Sequence, residues 1–173
     1  RRVEGIEDAT YPFWSPDGVW IGFFASGQLQ KVPRDGGRPQ VIFCLGESIG
    51  RLIEQQGLVV PTQDTLAAAA ARFGEQPDRA AAAIDLLAAC REFHIPAGPM
   101  RIPHPQRSLS VQAAAFRLGI PFTGHPMIGH DIIYTHPLLS GAAVGRTAMR
   151  DFLRYAASVS GLEGGVYLSV GSA

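Results

Sequence analysis

Apolar and polar positions follow two different rhythms along this chain. Up to residue 44, apolar and aromatic runs at residues 10–14, 19–24, 28–32 and 40–44 are separated by Ser15-Pro16-Asp17-Gly18, Ser26-Gly27 and Asp35-Gly36-Gly37. Pro16 presets φ for a turn and Gly18 tolerates positive φ, so this rhythm predicts a small four-stranded antiparallel β meander over residues 1–44. From Leu45 the repeat lengthens. Residues 47–56, 65–73, 78–93, 108–118 and 147–158 are rich in Ala, Leu and Arg, with Gly57, Gly74 and Gly119 as stops, and predict helices. In the third, Ala82, Leu86 and Cys90 share a side, flanked by Ala83, Leu87 and Phe93. That face should pack on something apolar such as a sheet, with Asp78 after Pro77 as its cap.

Residues 120–123 and 166–170 read as the best strands of the second part, and the helical text at 147–158 lies between them. Strand, helix, strand over this distance predicts a βαβ unit with parallel strands and a right-handed crossover. The expected fold class is therefore α/β: a partial parallel sheet with helices over residues 45–173, preceded by the β meander. Residues 95–105 hold Pro96, Pro99, Pro103 and Pro105 with Gly98 and predict an exposed loop. The run 166–170 leads into Gly171-Ser172, the kind of turn that presents backbone amides to phosphate, and the helix that should follow lies beyond the sequence.

Composition narrows the functions. In 173 residues, 46% hydrophobic content supports a buried core, and 15 basic residues balance 15 acidic ones. Such neutrality leaves no electrostatic footprint for nucleic acid or an anionic membrane. No apolar run reaches the roughly 20 residues that span a bilayer, and no signal-peptide core is present. The first residue is Arg1, so the true start is expected upstream. Cys44 and Cys90 fit no CxxC or Cys/His pattern, which points to reduced thiols and a cytoplasmic protein. Lys31 is the only lysine.

His125, His130 and His136 fall within twelve residues, alongside Asp131. Three readings stay open: loop histidines that cap backbone groups, a zinc- or iron-type site built from His125, His130, His136 and Asp131, or a ligand pocket at the carboxyl end of the 120–123 strand. Smaller features take bland readings. Ser169 and Ser172 form no nucleophile elbow. Gly124, Gly129, Gly141 and Gly145 read as turn residues rather than a dinucleotide fingerprint, and Trp14 and Trp20 as sheet core. Arg101 and Arg107, beside His104, read as a solvated loop more readily than as an anion grip.

Two resemblances add to this. Phe13-Trp14-Ser15-Pro16-Asp17-Gly18-x-Trp20-Ile21, closed by Gly36-Gly37, resembles one blade of a WD40-like, TolB-type (PD40) β-propeller repeat. A propeller needs roughly four to eight blades, so one blade cannot close a ring. The stretch 45–173 resembles the bacterial deoxyhypusine-synthase-like proteins. The resemblance is carried by Ile120-Pro121, Ile128-Gly129-x-Asp131-Ile132-Ile133-Tyr134-x-His136-Pro137, Arg150-Asp151-Phe152-Leu153, Leu162-Glu163-Gly164-Gly165 and the closing Val166-Tyr167-Leu168-Ser169-Val170-Gly171-Ser172-Ala173. Glu47-Ser48-Ile49-Gly50 and Ala114-Ala115-Phe116-Arg117-Leu118-Gly119 fit more weakly.

The family resemblance implies an oligomeric, NAD-dependent aminobutyl transferase with a Rossmann-like parallel sheet, acting on a polyamine-like or other amine substrate. It places Asp131 and His136 at the amine, and Thr123, Gly171 and Ser172 at NAD. Departures are large. Pro126 stands where an acidic residue should hold the cofactor ribose, no lysine follows Lys31 to form an imine, and the upstream half of the sheet is replaced by the propeller-like text. No catalytic residue is assigned. The expectation is a transferase fragment without turnover; the alternative is a non-enzymatic propeller-type interaction module.

Overall fold

In a computed structural model the described residues are 8–14, 20–25, 28–36, 40–41 and 44–171. Strands β1 (Thr10–Trp14), β2 (Trp20–Ala25), β3 (Gln28–Pro33) and β4 (Gln40–Val41) form one sheet in the order β1-β2-β3-β4. All three pairings are antiparallel, with Ile21 opposite Val32 and a bulge in β1 between Thr10 and Phe13. Period-two alternation puts Phe23 and Ala25 on one face, where they meet buried Val32 and half-buried Ile21 and Ala9. On the sheet, the Lys31 ammonium lies 4.2 Å from the centre of the half-buried Trp20 ring, so Trp20 is a cation–π partner as much as a core residue. The turns expected at Ser15–Gly18 and Ser26-Gly27, and the packing expected of the Trp14 side chain, lie outside what is described.

Among the described residues five α-helices follow: α1 (Leu45–Gln55), α2 (Gln63–Ala71), α3 (Pro77–Glu92), α4 (Val111–Leu118) and α5 (Gly141–Ser160). Their starts have ordinary causes. Thr62, Ser110 and Ser140 accept the backbone N–H groups of Thr65, Ala113 and Ala143 at 3.1, 3.2 and 3.2 Å. In α3, Pro77 takes the first helical position and Asp78 the first turn, while Gln76 holds the cap position expected of Asp78. Helix α5 begins six residues earlier than the pattern predicts, because Gly141 and Gly145 sit inside it rather than in turns.

Two short strands, β5 (Gly57–Val60) and β6 (Gly98–Arg101), pair antiparallel in a separate ribbon. The segment expected to be a Pro-rich loop thus supplies a strand, and Gly57, expected only as a helix stop, opens one. Gln56 takes the left-handed conformation at φ 53° and Gly57 follows at φ 142°, a reversal that turns α1 directly into β5. Val60, Leu66, Ala83 and Cys90 form the larger core, joined by Leu86, Leu87, Ile95 and Met100. Here α3 packs on α2 and the ribbon, with Ala82 left exposed.

The expected fold class requires correction: the partial Rossmann-like parallel sheet does not form. Every strand pair among the described residues is antiparallel, and residues 120–127 and 165–171 have no regular structure and no strand partner. Physically, Pro121 has no N–H to give a ladder, and the Gly124 N–H is used by a side chain of α5. With neither end of the βαβ unit in a ladder, α5 is not a crossover.

Helix α1 lies against α4 and residues 122–124 because Gly46 and Gly50 share one face. A Cβ on Gly50 would stand 2.4 Å from the Gln112 carbonyl oxygen, and one on Gly46 2.0 Å from that of Phe122. A Cβ on Gly145 of α5 would meet no other atom within 4 Å. Opposite signs follow for one chemical change. Gly50→Ala should cost about 1–3 kcal/mol, and Gly145→Ala should gain about 0.5–1 kcal/mol, both read from urea midpoints.

Candidate functional site

Asp151 is fully buried on α5, and its Oδ2 accepts two backbone N–H groups, from Gly46 at 3.0 Å and Gly124 at 2.9 Å. One carboxylate thus closes the first turn of α1, where the helix dipole favours negative charge, and fixes the loop that follows α4. Glu47 reaches back to the Cys44 N–H at 3.3 Å. Arg154, one turn beyond Asp151 and 1% exposed, brings Nη1 within 2.8 Å of Glu47 Oε1. That contact is an ion pair without hydrogen-bond alignment, since Arg154 Nε and Nη1 and Asp151 Oδ1 carry no hydrogen bond.

The charges in this node shift one another. Burial, more than the neighbouring carboxylates, pushes the Cys44 thiol up to about 12, which makes it a poor nucleophile. Burial also raises the Glu47 carboxyl above its ordinary range, against the opposing pull of Arg154 and the Cys44 amide.

The clamp on Gly124 positions its neighbour. Asp151 and Tyr155 are one turn apart on α5, so when Asp151 holds Gly124 the next residue, His125, lies over Tyr155. The two rings meet edge-on at 5.4 Å between centres. Tyr155 in turn faces Tyr167 at 6.5 Å, their hydroxyls 2.8 Å apart, and His125 Nε2 lies 3.0 Å from Thr123 Oγ1. The hydrogen bond shared with Tyr167 raises the Tyr155 phenol pKa. The result is a chain of Thr123, His125, Tyr155 and Tyr167 from three segments, open to solvent. Sequence reasoning missed Tyr155 and Tyr167, although the spacing Asp151-x3-Tyr155 within a helix was a signal that both face one way.

Of the residues assigned from sequence, only Thr123 and His125 join this cluster. Asp131 accepts the Met127 N–H, closing a turn in which Gly129 takes φ 84°. His130 is exposed beside it. His136 Nδ1 accepts the Leu138 N–H at 3.1 Å, and its side chain lines an apolar cavity of about 590 Å³ with Ile132 and Ile133. Both residues expected at the amine therefore bond their own loop. Gly171 ends an exposed segment, and Ser172 lies outside the described residues. Among the described residues no group of three metal-ligating side chains converges, so His125, His130 and His136 do not assemble a metal site. His104 is half-buried with its Nε2 unpartnered, Arg107 is exposed, and Arg101 belongs to the β5–β6 ribbon.

Comparison with family models, with curated proteins and with solved structures returns no match. No helix among the described residues is long and apolar enough to cross a membrane.

Two consequences of the buried node are measurable. Asp151→Ala strands two amides and leaves Arg154 with less compensation, and should cost about 3–5 kcal/mol; Asp151→Asn, which keeps an acceptor oxygen, should cost less. Because the folded-state pKa of Glu47 lies above its ordinary 4.5, its contribution to stability is complete below pH 4.5 and drains away as pH rises through the folded value. Glu47→Gln lacks this pH dependence, so its melting temperature relative to the parent should climb between pH 4 and pH 7.

Proposed function

We propose that this chain is the amine-recognising part of a cytoplasmic, deoxyhypusine-synthase-like, NAD-dependent transferase, binding its amine without turning it over. The supporting observation is that Tyr155 draws together two of the spans over which the resemblance runs, 120–137 through His125 and 164–171 through Tyr167. Aromatic faces attract ammonium groups, at about 0.5–1 kcal/mol where exposed and more when water is excluded. Phenol and threonine hydroxyls beside them supply acceptors for the ammonium hydrogens. A polyamine, with cationic groups on short alkyl stems, suits such a surface.

The cofactor half is weaker in this chain. Thr123 is engaged by His125, and Gly171 stands exposed with open space around it, so the pair offers NAD an entry point but no cradle. NAD, when bound, supplies hydride acceptance; the residues here contribute only contact. Imine formation needs a lysine amine, and Lys31 sits over Trp20 in the N-terminal sheet. Cys44 and Cys90 are both free thiols, in keeping with a reducing compartment.

Titration with spermidine, followed by NMR, should shift His125, Tyr155 and Tyr167, and Tyr155→Leu should weaken binding by roughly five- to tenfold. NAD should bind only in the millimolar range. Spermidine at 10 mM leaving all three residues unmoved in a well-dispersed spectrum would sink the reading.

A further inference from the structure

A separate cavity lies elsewhere, and nothing in the proposed amine site uses it. It is a groove of about 880 Å³ between α1 and the β5–β6 ribbon. Its walls are apolar, with Ile49, Leu58 and Met100 among them, and Val59 is 72% exposed at its rim. Two arginines, Arg51 and Arg101, line it, and none of its described lining residues is acidic. Arg101 brings a cationic group to this apolar wall, while Arg51 is already engaged, its Nε donating to Gln55 Oε1 at 3.2 Å. Glu54 of α1 pairs with Arg117 of α4 at 2.8 Å.

Backbone accounting identifies a free edge along this groove. The Ile102 N–H donates to the Gln56 carbonyl at 2.9 Å, and the register continues through Leu58 opposite Met100 and Val60 opposite Gly98. Those residues turn their amides inward, so Gly57 and Val59 direct theirs outward from β5. The outward positions of β6 are Pro99 and Arg101, and Pro99 has no N–H. The β5 side is therefore the edge able to accept another strand. Leu58 and Val59 point to opposite faces of the ribbon and both line the groove, which places the cavity along that edge.

We propose that this groove docks an extended acidic peptide segment of a partner protein, added as a strand to β5. Backbone hydrogen bonds to Gly57 and Val59 would supply affinity, apolar side chains at alternate positions would fill the wall of Ile49, Leu58 and Met100, and a carboxylate between them would meet Arg101. The unpaired amides favour a peptide over a small anionic amphiphile, which would cover the apolar wall and leave the edge unsatisfied. The four residues of β5 run about 13 Å, which fits a segment of four to six residues.

The test uses the whole chain and a fluorescein-labelled, acetylated hexapeptide alternating Glu and Val, read by anisotropy. Binding should be saturable, roughly tenfold weaker with Lys in place of Glu, and lost when a central Val is replaced by Pro. Arg101→Glu should weaken it about fivefold. Val59→Pro removes an outward amide that the ribbon itself does not use, so it should abolish binding while the helical circular dichroism is retained. Equal binding of the Glu and Lys peptides, unaltered binding to Val59→Pro, or no binding at 1 mM peptide each overturns the proposal. Laurate binding in the groove without any peptide binding would assign it to a small amphiphile, and self-association blocked by Val59→Pro without peptide binding would assign it to a second copy.

Discussion

A single buried carboxylate fixes the geometry of the C-terminal region. Asp151 sits with no solvent contact at the meeting point of α1, α5 and the loop after α4, and it accepts an amide from each of the other two elements. Neither segment could easily satisfy its own donor: the Gly46 N–H belongs to the first turn of a helix, where amides lack intrahelical partners, and the Gly124 N–H belongs to irregular chain without a ladder. Low polarity around the site strengthens both bonds and makes their loss costly. Arg154 completes the arrangement by setting one guanidinium beside the Glu47 carboxyl.

The same joint explains why Gly46 occurs on α1. A helix whose first turn is held by a carboxylate from α5 must also approach the 122–124 backbone closely, and only a residue without Cβ leaves room for the Phe122 carbonyl. Packing is less complete elsewhere. Val166, Leu168 and Val170 are 87%, 78% and 85% exposed, and Ile128 and Ile132 are as open. Apolar surface of this extent is usually covered by another element or partner.

Legibility from sequence followed the range of the interactions concerned. The helices were readable because periodicity, Pro77 and the Ser and Thr caps are local signals, though Gly141 and Gly145 hid the first turns of α5. The failures came where a distant partner decides. Residues 120–123 and 166–170 look like strands in isolation, and whether they become strands depends on a neighbour that the residues themselves do not specify. Conversely, β5 and β6 are four residues each, too short for alternation to register, and a Pro-rich segment conceals one of them. At the candidate site, the density of histidines drew attention to Asp131 and His136, which bond their own loops. The cluster around Tyr155 depends on Asp151 pairing with Gly124 across 27 positions, which no local motif records.

Pro99 decides more than which side of the ribbon can accept a strand. Stacking of successive copies edge to edge requires two complementary faces, β5 of one molecule on β6 of the next, and the missing amide at Pro99 spoils that match. Pairing of β5 with β5 remains geometrically open, but it is self-closing and ends at two molecules. A chain with this much exposed apolar surface is thereby denied one route to open-ended fibres, by a single residue whose ring removes one hydrogen.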